Sequence, residues 1–150
     1  MVIEMTQTTI YFDMDGTLAG LFYVKDFSKK LADGDMTPYL EARPLYNLDN
    51  MNKVISLLKA NGYEIGIISY VDKKHPKESR QAKKQWLAKY FPYATEIHLV
   101  QEYKTKFDFA KCKDGILIDD AKKNLNAWKG QATINAYRAN LVNELYQLIY

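Results

Sequence analysis

The chain has a single cysteine, Cys112, among 150 residues. One thiol cannot close an internal disulfide, which fits a reducing compartment. With no histidine beside it in sequence, Cys112 reads as a packing residue. No apolar run approaches the roughly 20 residues a membrane span requires. The opening Met1-Val2-Ile3-Glu4-Met5-Thr6 has no basic n-region and no long apolar core, so no signal peptide is expected. A soluble, cytoplasmic protein is the expectation. Charge of one sign is scarce too. Against 18 acidic residues stand 21 basic ones, a formal +3, too mild to demand a polyanionic partner. The two histidines, His75 and His98, form no metal-ligand pattern. Internal repeats and low-complexity segments are absent.

What remains is ordinary globular composition, 47% hydrophobic and 26% charged, in a chain of one-domain length (1–150). The pattern alternates strands with helices. Thr8 to Phe12 is a β-branched and aromatic run that predicts a buried strand. Asn47 or Asp49 can cap a helix with Met51, Val54, Ile55, Leu57 and Leu58 on its buried face, ended by Asn61-Gly62. Further strands are predicted at Tyr63 to Ile68, stopping at Ser69, at Glu96 to Val100, at Gly115 to Ile118 and at Ala132 to Asn135. Helices are predicted from Pro76 to Phe91, with Ala82, Trp86, Leu87 and Tyr90 inward, from Asn124 to Lys129, and from Leu141 to Ile149. Such alternation predicts an α/β fold, a Rossmann-like three-layer α/β/α sandwich around a parallel sheet with right-handed crossovers.

The informative stretch is Ile10-Tyr11-Phe12-Asp13-Met14-Asp15-Gly16-Thr17-Leu18. A buried strand that ends in carboxylates presents them at its carboxyl edge, where α/β sheets keep their ligand crevice. Gly16 permits a sharp turn with backbone N–H groups free to face an anion. Two crowded carboxylates repel each other unless a divalent cation or a shared proton relieves them. An EF-hand is excluded, because the third ligand before the glycine and the bidentate Glu are both missing.

Two more predicted strands end in matching groups, one in Ser69 and one in Asp119-Asp120. In a parallel sheet these ends share one rim with Asp13 and Asp15. Asp13 with Asp119 can hold one Mg²⁺ through oxygen, leaving room for water and a phosphate. Ser69 can donate to a phosphate oxygen, and a lysine from Lys104 or Lys106 can complete the charge balance. The set points to phosphoryl chemistry.

Asp13-Met14-Asp15-Gly16-Thr17-Leu18 resembles the first motif of the haloacid dehalogenase (HAD) superfamily. Ile67-Ile68-Ser69 resembles its second motif, and Leu117-Ile118-Asp119-Asp120 its fourth. The likeness runs from about residue 8 to residue 135. Within the superfamily, Leu117 to Asn124 followed by Trp128 is similar to the 5′-nucleotidase/deoxyribonucleotidase branch and its phage and bacterial relatives. The resemblance implies a Mg²⁺-dependent phosphomonoesterase that works through an aspartyl-phosphate. Asp13 would be the nucleophile and Asp15 the general acid and base. Mg²⁺ would sit between Asp13, the Asp15 backbone carbonyl and Asp119, with Asp120 ligating through water or orienting its neighbour. Thr17 and Ser69 would bind the phosphate. The third motif supplies a lysine, for which Lys106 is favoured over Lys104, with Lys111 a distant third.

The substrate implied first is a nucleoside or deoxynucleoside monophosphate. Sugar phosphates and nucleic-acid terminal phosphates are the alternatives, as is a HAD-fold binding module without turnover. The cap insert, about residues 19–44, is short, so the site is open or covered by a neighbouring subunit of a homo-oligomer. Residues 19–24 suit a hairpin or a helical turn. Phe22, Tyr23, Phe27 and Tyr39 either pack on one another or close over a ligand; Tyr23, Phe27 and Tyr39 can stack on a base. The basic run Lys73, Lys74, Lys77, Arg80, Lys83 and Lys84 reads as a solvated helix face in preference to a nucleic-acid contact.

Overall fold

The computed structural model describes residues 7–150; the amino-terminal stretch 1–6, read above for a leader, lies outside them. Five strands form one parallel sheet in the order β3-β2-β1-β4-β5. They are β1 (Thr8–Phe12), β2 (Tyr63–Tyr70), β3 (Glu96–Val100), β4 (Ile116–Asp119) and β5 (Ala132–Asn135). The chain steps outward from β1 to β2 to β3, then jumps back across β1 to place β4 on its other side. That reversal makes the β1/β4 boundary a topological switch point, where the crossovers leave for opposite faces and a crevice opens at the strand ends.

The helices divide accordingly. On one face α3 (Leu48–Ala60), α4 (Pro76–Tyr90) and α7 (Leu141–Gln147) bury Met51, Val54, Ile55, Leu58, Trp86, Leu87, Leu141 and Leu145 against Ile10 and Phe12. Tyr11, one residue out of phase with those two, faces the other way. There it meets Ile68, Leu117 and Trp128 beneath the short helices α5 (Lys106–Phe109) and α6 (Lys122–Ala127). Tyr11 has room on this face because Gly66, its partner on β2, and Gly115, just before β4, are bare. A Cβ on Gly66 or Gly115 would lie 2.6 or 2.7 Å from its ring. Its hydroxyl donates to Glu96 Oε1 (2.8 Å) and accepts from the Cys112 N–H (2.9 Å), so the buried phenol is fully bonded.

The predicted strands and helices are present, β1, β3 and β5 with the expected ends and the others with ends shifted by one or two residues. Asn47 provides the cap of α3, its side chain accepting from the Asn50 N–H at 3.0 Å, and Asp49 sits in the first turn. Gly62 takes φ 91° directly after that helix. Leu57, expected on the buried face, is 37% exposed, since the inward stripe is 51, 54, 55 and 58. Tyr90 is half-buried rather than core.

The insert after β1 is more regular than the sequence suggested. A 3-10 turn (Leu21–Tyr23), α1 (Phe27–Ala32) and α2 (Thr37–Glu41) close over a small core of Leu21, Leu31 and Tyr39, seated on Ala82 of α4. Tyr39 is therefore packed and Phe27 half-buried, whereas Phe22 and Tyr23 are 55% and 86% exposed. Among the described residues, no helix is long and apolar enough to cross a membrane.

Candidate active site

The turn after β1 is assembled by backbone bonds. Asp13 N–H donates to Ile118 O (2.9 Å), which extends the β1/β4 pairing by one residue and fixes the first carboxylate at the switch point. The Met14 carbonyl then accepts from the N–H groups of Thr17, Leu18 and Ala19, winding the chain tightly around it. Gly16 sits in this turn at φ 82°. A Cβ there would lie 2.2 Å from Asp120 Oδ2 and 2.7 Å from Cε2 of Phe22, so glycine is required by conformation and by space together.

Lys106 ties the two halves of the crevice. Its Nζ donates to Asp13 Oδ1 (2.8 Å), directly after β1, and to Asp119 Oδ2 (2.7 Å) at the end of β4. Burial alone would lower its pKa, but the two carboxylates outweigh it and hold the ammonium well above the ordinary lysine value. Thr105 positions this lysine. It caps α5 with Asp108, whose Oδ2 accepts from the Thr105 hydroxyl (2.9 Å) and N–H (3.2 Å), a reciprocal capping box around the first turn. Asp119 is completely buried, and it also accepts from the Ala121 N–H (2.9 Å) and Asn124 Nδ2 (3.0 Å). The competing lysines lie elsewhere. Lys104 is exposed with its ammonium 4.4 Å from the Phe109 ring centre, and Lys111 is an exposed residue whose backbone N–H serves Glu96.

A second buried lysine stands on the other side of the site. Lys83 has no exposed surface, and its Nζ donates to Asp15 Oδ2 (2.8 Å), Ser69 Oγ (2.9 Å) and the Tyr70 carbonyl (2.8 Å). All three ammonium protons are thereby used, and the ring of Tyr39 lies 5.0 Å from the charge. Grouping Lys83 with the solvated face of α4 was thus wrong. Lys73, Lys74, Lys77 and Lys84 are exposed and Arg80 is half-buried, but Lys83 points into the site. The signal was available in the helical spacing: Ser79, Ala82, Lys83, Trp86 and Leu87 form one buried stripe.

Because Ser69 accepts from Lys83, its own hydroxyl proton is available to an anion at the rim. Thr17 differs; its hydroxyl donates to Asp120 Oδ1 at 3.3 Å. Burial raises the Asp15 carboxyl above the usual range, with the Lys83 ammonium opposing the rise and Asp13 adding to it. Asp119 is raised by burial and by Asp13, against Lys106. Asp120 is pushed up to about 7 by burial and then by the Asp13 carboxylate.

Carboxylate oxygens of Asp13, Asp119 and Asp120 all lie within 4.8 Å of one another. Three hard oxygen donors this close suit a divalent cation such as Mg²⁺. The residues present fit the ion.

No family model and no curated protein matches the chain. Solved structures do. A chain assigned as a beta-phosphoglucomutase of Thermotoga maritima aligns with 94% of this chain and 99% of its own, at 11% identity and TM-score 0.55. A chain assigned as a HAD-hydrolase of Bacillus subtilis, solved bound to magnesium, aligns over 95% and 98% at 12% identity and TM-score 0.52. The fold is that of HAD hydrolases. A chain of the Pnkp1/Rnl/Hen1 RNA repair complex also matches, over 86% of this chain at 18% identity and TM-score 0.56. This chain spans only 42% of that one, and 45% of its counterpart in a second Pnkp1/Rnl/Hen1 structure.

Proposed function

We propose that the chain is a HAD-type, Mg²⁺-dependent phosphomonoesterase acting through an aspartyl-phosphate, with a nucleoside or deoxynucleoside monophosphate as substrate. The observation that carries this reading is the bridge of Lys106 between Asp13 and Asp119, at the carboxyl ends of the two strands that flank the switch point. Two carboxylates and one buried ammonium there can serve a dianionic phosphate only if positive charge offsets the repulsion.

Asp13, Asp119 and Asp120, with the backbone carbonyl of Asp15, would hold Mg²⁺, which when bound supplies Lewis-acid charge next to the phosphate. Ser69 and Lys106 bind phosphate oxygens. Asp13 attacks phosphorus, the bond to the ester oxygen breaks, and Asp15 gives that oxygen its proton. Asp15, now a carboxylate beside Lys83, takes a proton from water; the resulting hydroxide attacks phosphorus and releases Asp13 and inorganic phosphate. A carboxyl whose pKa is raised by burial yet held by an ammonium suits both halves of that cycle.

Thr17 contributes through Asp120 rather than by touching phosphate. The insert at 19–44 acts as a small cap whose packed core leaves the rim beside it open.

The test is phosphate release from nucleoside monophosphates, sugar phosphates and end-phosphorylated oligonucleotides, with Mg²⁺, with EDTA and with Asp13→Asn. Turnover of a nucleotide that both controls abolish supports the reading. A folded, Mg²⁺-binding protein without turnover on any ester means a binding module instead. One second reading has its own support: a nucleic-acid terminal phosphate. Lys73, Lys74 and Lys77 are exposed just beyond the carboxyl end of β2, and the fold is shared with a chain of an RNA repair complex. Oligonucleotide binding that falls steeply with added salt would favour it.

A further inference from the structure

A cavity of about 460 Å³ opens directly off the acid cluster, lined by Gly16 and Asp120 on the site side and by Phe22, Tyr23, Tyr137 and Arg138 beyond them. We propose that this cavity is the leaving-group subsite and that it takes the nucleobase of the substrate, stacked on Tyr137 and Phe22 and bonded by Arg138. The proposal rests on the phosphomonoesterase reading; of the two roles open to the insert's aromatics, Tyr39 and Phe27 take the packing one, in the insert's own core.

Four observations support it. The cavity is contiguous with the chemistry: the space a Cβ on Gly16 would need is shared by Asp120 Oδ2 and the edge of the Phe22 ring, so the aromatic wall begins beside the carboxylates. Its aromatic rings contribute little to the core, with Phe22, Tyr137 and Tyr23 exposed by 55, 62 and 86%. Clustered exposed rings of this kind mark a binding surface. Arg138 holds φ 57°, a backbone conformation unfavourable for any residue with a side chain, and its guanidinium lies 5.0 Å from the Tyr137 ring centre. Finally, the turn that carries both is anchored to the site: Ala136 N–H donates to the Asp119 carbonyl (2.9 Å) and Tyr137 N–H to Asn135 Oδ1 (2.9 Å).

The occupant follows from the chemistry. A flat ring finds a π-face on Tyr137 and Phe22. The planar fork of Arg138 offers N–H donors that suit the carbonyl and ring-nitrogen acceptors of a base, which a plain phenyl ring lacks. The volume falls within the range that accommodates small organic ligands. A base linked through its sugar to a phosphate at Asp13 meets all three conditions.

The experiment compares nucleoside 5′-monophosphates with ribose 5-phosphate, which keeps the sugar and phosphate but lacks the base, on wild type, Phe22→Ala, Tyr137→Ala and Arg138→Ala. Binding of unphosphorylated adenosine and thymidine is followed in parallel by NMR shifts, and the thermal midpoint checks folding. Tyr137→Ala should raise KM for the nucleotide about tenfold with little change in kcat, leave ribose 5-phosphate within about twofold, and weaken nucleoside binding to match. Equal losses on both phosphates, or no loss on the nucleotide, would overturn the subsite. If no ester is turned over but nucleosides bind in a Tyr137-dependent way, the phosphatase reading fails and the subsite stands. If nucleosides do not bind either, both fail.

Discussion

Replacing Lys83 with methionine tests the least expected contact in the site. Methionine keeps most of the unbranched side chain, one atom shorter, and removes the charge, so it tests what the ammonium does. In the folded protein that ammonium has no exposed surface and serves Asp15, Ser69 and the Tyr70 carbonyl. Removing one partner of a buried ion pair costs about 3–5 kcal/mol, because the other charge is left without compensation. The Asp15 side chain retains 23% of its surface, enough for water to reach it, so the lower end applies, about 3 kcal/mol. For a chain of this length that corresponds to a fall in Tm of roughly 6–12 °C. Asp15 should also lose the influence that holds its pKa down, so its carboxyl rises further. Thermal and urea unfolding of wild type, Lys83→Met, Asp15→Asn and the double variant close a cycle. The double variant should recover part of the loss, since a neutral amide at 15 no longer needs the cation. A Lys83→Met protein that melts within about 2 °C of wild type, with the two substitutions additive, would refute the reasoning.

Three further outcomes follow. Lys106→Met should reduce kcat/KM for a phosphate ester by at least 100-fold, whereas Lys104→Met, whose ammonium rests on Phe109, should stay near wild type; steady-state kinetics decide between them. Gly16→Ala should lose about 1 kcal/mol from its left-handed backbone alone, and more turnover than stability, because the new Cβ displaces Asp120; the checks are urea unfolding and initial rates. Glu96 is half-buried, which would raise its pKa, but bonds from His98 (2.6 Å), the Lys111 N–H (3.1 Å) and Tyr11 (2.8 Å) outweigh that partial burial and hold it below the ordinary glutamate value. A depressed carboxyl stabilises the fold above its unfolded pKa of about 4.3 and ceases to do so as pH falls through the folded value. The Tm advantage of wild type over Glu96→Gln should therefore be full near neutrality and shrink below about pH 4.

Which parts of this were legible in the sequence depended on how local the physics was. The strands were, because a short β-branched run between turn residues has few alternatives, and Glu96–Val100 and Ala132–Asn135 fall where predicted. The acid rim was legible too, since parallel strands must end on one edge, and Asp13, Asp119 and Asp120 do converge. The insert was not. Leu21, Leu31 and Tyr39 are too sparse to show a period, and they become a core only against Ala82 of a distant helix. Thr17 shows the same limit at the scale of one hydroxyl, because its partner Asp120 is 103 residues away. Tyr137 and Arg138 passed unnoticed because they follow a strand whose end, Asn135, carries no charge.

Lys83 was missed for a different reason. Composition invited a grouping of six basic residues between 73 and 84, and a charge run usually means a solvated face. Helical phase gives the opposite assignment. Positions 79, 82, 83, 86 and 87 recur at the spacing of one stripe, and four of them carry Ser, Ala, Trp and Leu, which are inward residues here. A lysine in phase with such a stripe must either reach solvent or meet a carboxylate inside. Here the stripe runs beneath the insert, with Tyr39 over the ammonium, so solvent is closed off and the carboxylate must be near. Asp15 is that carboxylate. Phase, read before charge, would have predicted a buried cation beside the rim and with it the partner of the proposed acid and base. The same phase separates Lys83 from Lys84, one residue on and exposed, whose replacement by methionine should leave Tm and turnover unchanged.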